Sequence, residues 1–473
     1  MARICILGGG ICGLGTALLL ARDGHDVTVI ERDAGEVPET IDGAWNAWDR
    51  KGVAQFRQAH TLHPRVRHIL EAELPDVLAA LGQAGGLPTD TMSRLPPMVN
   101  DASPREGDER FRGVTARRTT VEAVLAQAAR REPRIEVIRG ERVLGLATGS
   151  EAIKGVPHVV GVETETRGTV RADLVIDATG RQSKLPDWIE AAGGRRPIEE
   201  IEEYQFAYYT RFFASRDGNL PPAVAPPLTE FPTHSILSLH ADNGHWSLTV
   251  YAANADQQAK QLRDAEKWTR VLEAHPLHKH WLDGEPITDV LPIAGAMDRQ
   301  RRFVVDGAPV VTGLLAVGDA WSSTNPSGGR GISIGLMHAV KARDAVREHV
   351  DAPERLALAF NDVTEREVAP YVRHQVMVDR ARIEAMNAAR EGREPGGLAW
   401  EAAARWRMLS TAGPYDADAF RALMDVTMCL GLLDEVLDRP GLAEHVAAIA
   451  KEKPPLALPC PSREELYTLL ACP

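Results

Sequence analysis

Cysteine is scarce in this chain, and what there is has no framework. The five cysteines (Cys5, Cys12, Cys429, Cys460, Cys472) are odd in number and contain no CxxC pair. That pattern excludes a disulfide scaffold and a zinc site built on paired thiolates, and it makes a reducing cytoplasm the expected compartment. Positive charge is also short: 54 Lys and Arg face 66 Asp and Glu, a net charge of −12. A broad nucleic-acid surface is therefore not expected. No window approaches the roughly 20 apolar residues needed to cross a bilayer. The opening stretch MARICILGGGICGLGTALLLA is apolar, but Gly8, Gly9, Gly10, Gly13 and Gly15 interrupt it and Arg3 is its single early cation. It does not read as a secretory leader. Repeats and low-complexity tracts are missing, and so is a second GxGxxG, which disfavours a separate NAD(P)H-binding domain. No residues are assigned to a metal.

Glycine, by contrast, is concentrated in two places. The first cluster, GGGICGLG at 8–15, follows the short strand pattern RICIL and opens an apolar helical run; VTVIER at 27–32 then supplies a second strand. In such a βαβ unit Gly8 permits the tight turn, Gly10 lets backbone approach a pyrophosphate, and Gly13 lets helix and strand pack closely. Glu31 is placed to accept hydrogen bonds from ribose hydroxyls and would repel a 2′-phosphate, although Arg32 beside it softens that inference. This unit alone does not separate FAD from NAD.

The second cluster lies in GDAWSSTNPSGGRGISIGL at 318–336, after the strand pattern LLAVGDA. Asp319 can accept hydrogen bonds from a polyol, which FAD has in its ribityl chain and NAD lacks. Gly318, Pro326, Gly329, Arg330, Gly331 and Ile332 shape a loop and helix start that bring backbone N–H groups to a flat, anionic ligand. One extended ligand fits both clusters, its AMP half on the first and its flavin half on the second.

The rest of the chain supports an α/β fold with a Rossmann-like FAD-binding domain in three segments, 1–75, 101–195 and 291–345. A substrate-domain excursion (76–100) and a mainly antiparallel β substrate domain (196–290) are interleaved with it, and a helical C-terminal region (346–473) follows. Residues 62–83 and 118–131 look helical, and Asp242-Asn243-Gly244 marks a β-hairpin turn. Tyr204, Tyr208 and Tyr209 suit packing in a sheet.

These motifs resemble the class A flavoprotein monooxygenases, the para-hydroxybenzoate hydroxylase fold group. The matching residues are GGGICG (8–13), DATGRQS (177–183, with Gly180) and GDAWSSTNPSGGRG (318–331), together with Arg118 in ARRTTVEAVL. The stretch GVAQFRQAHTLHPRVRHIL (52–70) resembles squalene-epoxidase-like members, in which an Arg and a His lie near the flavin, here Arg57 and His60. The resemblance implies non-covalent FAD, reaction of reduced flavin with O2 to a C4a-hydroperoxide, and oxygen delivery to a hydrophobic or aromatic small molecule. Arg57, His60, Tyr208 and Arg211 are the polar groups expected near substrate. Thr179 and Pro186 depart from the family's mid-chain motif, so NAD(P)H is expected to reduce the flavin directly or through a partner flavin reductase. A reductase or dehydrogenase, and a non-enzymatic flavin-binding protein, would use the same scaffold. A halogenase is disfavoured, because Trp45-Asn46-Ala47-Trp48 has the wrong spacing and position. The C-terminal region matches no pattern; it either caps the pocket or pairs subunits, and the oligomeric state stays open.

Overall fold

Strand β1 (Arg3–Leu7) is buried on both faces, and this sets the architecture around it. Ile4 and Ile6 enter one hydrophobic core while Cys5 and Leu7 enter another, the period-two alternation of a central strand. In the computed structural model, which describes residues 1–203 and 205–471, β1 is the middle of a five-stranded parallel sheet. The order is Leu314–Ala316, Leu174–Asp177, β1, β2 (Asp26–Glu31) and Ile135–Arg139. Helix α1 (Ile11–Arg22), the helix Arg118–Arg131 and the helix Gly331–His349 pack on the Ile4/Ile6 side. Strands more than 300 positions apart thus share one sheet, and the crevice outside the C-terminal ends of such strands is where ligands bind in doubly wound folds. No helix among the described residues is long and apolar enough to cross a membrane.

The second sheet is antiparallel. Phe206–Ala214 pairs along its whole length with His245–Ala253, which pairs in turn with His234–His240. Its two faces are covered differently. Ala207, Tyr209, Phe213, Leu248 and Val250 pack against helices Ala265–Glu273 and Arg463–Ala471. Phe206, Tyr208 and Tyr251, on the other face, meet Ile383 and Met386 of the long helix Ala369–Glu391. The expected hairpin turn is present, with Asn243 (φ 54°) and Gly244 (φ 70°) both left-handed. Asp242 does more than turn the chain. Fully buried, it accepts from the Arg117 backbone N–H (2.6 Å), the Arg117 guanidinium (2.8 Å) and the Thr120 hydroxyl (2.9 Å), pinning the sheet to the start of Arg118–Arg131.

Several boundaries differ from the sequence reading. The helix expected over 62–83 is two helices, Pro64–Glu73 and Pro75–Gln83, because Pro75 has no N–H to continue the ladder. The expected break at 75/76 does not separate domains, since Val77 and Leu81 lie in the nucleotide-fold core. Leu291–Ile293, placed in the third FAD segment, pairs with Phe206–Ala214. Ile198–Ile201, placed in the substrate domain, pairs instead with Arg299–Arg302 in a small separate sheet. The boundary at 345 falls inside the helix Gly331–His349. Tyr204 and Cys472 lie outside the described residues.

Candidate functional site

The first glycine cluster is shaped by backbone packing. Gly8 has φ +99°, and a Cβ there would stand 2.7 Å from the Ala178 carbonyl oxygen. A Cβ on Gly13 would come within 1.9 Å of the Gly8 carbonyl oxygen. Gly10 is different, because nothing lies within 4 Å of its Cβ position. The open side of the turn at the start of α1 is therefore the place a phosphate can reach. Glu31, at the end of β2, accepts from the Gly9 N–H (2.8 Å), the Asp33 N–H (2.9 Å) and the Arg50 guanidinium (2.8 Å). Its Oε1 takes only the Asp33 N–H, so acceptor capacity remains for a ribose hydroxyl. Arg32, next along, lines a cleft of about 490 Å³ with Asp33, Lys51 and Arg142.

The second cluster lies directly against the first, and Cys12 is the contact. Cβ atoms on Gly318 (φ +59°) and Gly335 would fall 2.9 and 2.3 Å from the Cys12 sulfur. Burial pushes that thiol up to about 12, so it is a packing group and not a nucleophile. His338 fixes the turn from behind: its Nδ1 accepts from the Gly318 N–H (3.3 Å) and its Nε2 lies 3.0 Å from the Thr364 hydroxyl. Enclosed between Trp321 and Phe360, the ring has its pKa pushed down to about 3 by burial and stays neutral.

What faces the crevice is polar and available. Asp319 is partly open, with Arg181 Nε at 3.7 Å as a loose ion pair; that Nε is buried and makes no hydrogen bond. Gly180 (φ +80°) stands beside Asp319, and Gly331 has nothing within 4 Å of its Cβ position. Arg118 begins the next helix, donating to Glu122 (2.7 Å) and to His60 Nε2 (3.1 Å). The other ring nitrogen of His60 donates to the Gln58 carbonyl (2.9 Å), and burial with Arg118 pushes the imidazole down to about 3. An open carboxylate, an unbonded buried donor, two open glycines and a helix start are the groups a polyol and a pyrophosphate need. These residues fit FAD.

The sequence profile described as an FAD binding domain matches residues 1–367, well over half of the chain. The chain belongs to this family. Among curated proteins it is 25% identical over 399 residues to the 6-methylpretetramide 4-monooxygenase of Streptomyces rimosus, covering 80% of this chain and 83% of the relative. Among solved structures it is similar to pqsL, a probable FAD-dependent monooxygenase from Pseudomonas aeruginosa, with TM-score 0.61 and 17% identity over 82% of this chain and 98% of that one. The flavin-dependent brominase Bmp2 has the same TM-score, 0.61, at 15% identity over 93% of this chain and 98% of that one. At such identities both likenesses concern the fold.

Within this FAD-binding fold the polar groups named from sequence part company. Tyr208 lies buried on the face covered by helix Ala369–Glu391, where its hydroxyl bonds the Asn325 side chain of the second cluster. Phe212, four residues on and on the same face, meets Trp45 edge-on at 5.0 Å. Arg211 is a correction. Three residues from Tyr208 on a strand, it points to the opposite face, donates to the Thr288 carbonyl (3.0 Å) and lies over Phe213. Arg57 ties down the Trp45 and Trp48 carbonyls (2.8 and 3.2 Å), so it fastens the end of the short helix Ile41–Asn46 that carries Trp45. Arg330 sends one guanidinium nitrogen to the Val426 carbonyl (3.3 Å) among the C-terminal helices, while its Nε and Nη1 are buried without a hydrogen bond. Pro326 opens a tight turn ending at Gly328, Gly329 (φ +64°) packs on Thr61 and His63, and Ile332 is buried in the nucleotide-fold core.

Arg50 and His338 are among the residues that sequence reading missed. Arg50 is fully buried and binds Glu31 (2.8 Å), Asp33 (3.2 Å) and Glu122 (2.9 Å) as well as the Gly9 carbonyl (3.2 Å). No spacing rule finds it, because its partners lie on three separate segments. His338 is likewise one of 15 histidines, and only its place on the helix after the second cluster sets it apart. In the mid-chain motif, buried Asp177 accepts from the Thr179 N–H (2.8 Å) and the Ser183 hydroxyl (2.6 Å), closing its own turn.

Proposed function

We propose that this protein is an FAD-dependent monooxygenase acting on an uncharged aromatic or hydrophobic small molecule. The observation that carries the reading is the contact at Cys12, which sets the two glycine clusters edge to edge around one crevice. Bound FAD supplies the redox chemistry: with two electrons from NAD(P)H, one atom of O2 enters the substrate and the other leaves as water. The chain's own residues bind, orient and exclude water. Gly10 and the start of α1 receive the pyrophosphate, Glu31 the ribose, and Asp319 the ribityl hydroxyls, while the start of Gly331–His349 offers its N–H groups to the flavin ring. Arg118 and neutral His60 form one polar wall, Trp45 with Phe212 an aromatic one, and Tyr208 holds the flavin loop through Asn325. The sheet supports the substrate class. Tyr208, Thr210 and Phe212 alternate on the face toward Trp45 and helix Ala369–Glu391, paired with Tyr251, Thr249 and Ser247, and none of them is charged.

Electron supply is the finer part of the proposal. Asp177 is used up within its own turn, and Pro186 lies in the helix Leu185–Ala191, where the resembling motif has an Arg. A partner flavin reductase is the route this favours. The described cysteines are free thiols, which suits the cytoplasm. The protein is expected to purify yellow and to consume O2 with a substrate gaining 16 mass units. Asp319→Ala is expected to weaken FAD binding about tenfold, the loss of a charge-assisted hydrogen bond. Flavin reduction without O2 uptake for any substrate would turn the reading to a reductase, and a bromide-dependent product mass to a halogenase.

A further inference from the structure

The family match ends at residue 367, two residues before the helix Ala369–Glu391, yet this helix reaches into the second glycine cluster. Gly328 has no Cβ, and the place a Cβ would take is filled by the Gln375 amide oxygen, 2.3 Å away. The amide nitrogen of Gln375 donates to the Ser327 hydroxyl (2.9 Å) and to Asp379 (2.9 Å), and the Ser327 hydroxyl bonds the other Asp379 oxygen. The three side chains form a closed ring, and each is at most 6% exposed. One turn and two turns further along the same helix face, Ile383 and Met386 lie against Tyr208 and Tyr251 of the sheet. A single helical stripe, 375–379–383–386, therefore touches the loop at one end and the substrate sheet at the other. Tyr208 completes the circuit by bonding Asn325, at the loop's leading edge.

We propose that Gln375 and Asp379 are positioning residues for FAD: by gripping Ser327 and filling the space beside Gly328, they hold the 326–331 loop in the form that meets the flavin half of the cofactor. This rests on the FAD reading above, and it makes the C-terminal helix part of the cofactor site and not a cover added to it. Burial and the neighbouring Asp298 push the Asp379 carboxyl well up, so that a neutral side chain of the same shape can replace it.

The test is titration of apoprotein with FAD, followed by flavin fluorescence and the visible spectrum, in four variants. Gln375→Leu and Asp379→Ala lose the ring of bonds without adding bulk to the buried site; each is expected to raise the FAD Kd about tenfold and alter the bound-flavin band shape. Asp379→Asn, which keeps polar partners for Ser327 and Gln375, is expected to restore affinity to within about threefold of the parent. Leu409→Ala, in the separate C-terminal cluster, is expected to lower the melting temperature and leave the FAD Kd unchanged. Wild-type affinity and spectrum in Gln375→Leu would overturn the proposal, as would equal weakening in Leu409→Ala. Failure of the parent apoprotein to bind FAD would instead sink the reading beneath it.

Discussion

The two glycine clusters do related work by different means. In the first, the crowding is mostly local: a Cβ on Gly13 would strike the Gly8 carbonyl and one on Gly9 the Glu31 side chain, with β1, α1 and β2 all within 31 residues, and only Gly8 reaches out, to the backbone of Ala178 beside the adjacent strand. In the second, the neighbours are side chains from far along the sequence. Gly318 accommodates Cys12, Gly328 accommodates Gln375, and Gly329 packs on His63. A locally closed motif is self-sufficient, whereas a remotely closed one depends on the whole fold being assembled first. Substitutions should separate the two kinds.

The largest effect is expected at Gly13. A Cβ 1.9 Å from a carbonyl oxygen cannot be absorbed by a flexible side chain, so Gly13→Ala must push α1 off the sheet. Overpacking usually costs about 1–3 kcal/mol, and a collision this close with backbone, which cannot step aside, exceeds that range and the cost of every substitution below. The expected outcome is loss of soluble, flavin-loaded protein. Gly331→Ala, with open space at its Cβ, should fold normally and lose only FAD affinity. Equal melting temperatures for the two apoproteins would erase the distinction. Next in size is Asp242→Ala. It strands the fully buried Arg117 guanidinium, and breaking such a pair costs about 3–5 kcal/mol, readable by urea denaturation. If stability is unchanged, the hairpin tip is not the anchor that joins the sheet to the nucleotide fold.

The same contrast explains what could be read without coordinates. The βαβ unit was legible because each part has a local cause: a doubly buried strand, a glycine turn, a helix and an acid at its partner strand's end. The meeting of the two clusters was legible because both carry glycines at helix starts, although their contact through Cys12 was not. The clamp at Ser327 left no trace, since Gln375 and Asp379 lie in an ordinary amphipathic helix 48 and 52 positions away. Arg50 was hidden because buried ion pairs obey no spacing. Arg211 was misplaced for a simpler reason: a set of residues on one strand was taken as a group without applying its period of two.

Acid should test both clusters together. His60 accepts from Arg118 beside the first, and His338 accepts from Gly318 in the second. Each ring must be neutral to do so, and each has its folded pKa pushed to about 3. The unfolded imidazoles take up protons near their ordinary value of about 6.5 while the folded ones do not. Stability contributed by these rings is therefore complete above that pH and is lost progressively toward pH 3. Each ring gives a slope approaching about 1.4 kcal/mol per pH unit. Denaturant unfolding between pH 7.5 and pH 5 should show the decline, to which the buried His63, His278 and His374, also pushed down by burial, add their share. A flat profile would mean that neither histidine is held neutral by the fold.

The smallest effect is expected where sequence reading went astray, and it is the sharpest check on which sheet face meets the cofactor. Tyr208→Phe removes the hydroxyl that holds Asn325 and should lower turnover by about tenfold while leaving the packed ring in place. Arg211→Ala removes one hydrogen bond to the Thr288 carbonyl on the far face. Its cost should stay near or below about 1 kcal/mol in stability, with turnover and FAD affinity unaltered. Because the two residues are only three apart on one strand, the pair isolates facing from location. A loss of turnover in Arg211→Ala comparable to that in Tyr208→Phe would place the reacting chamber on the face now covered by helix Ala265–Glu273.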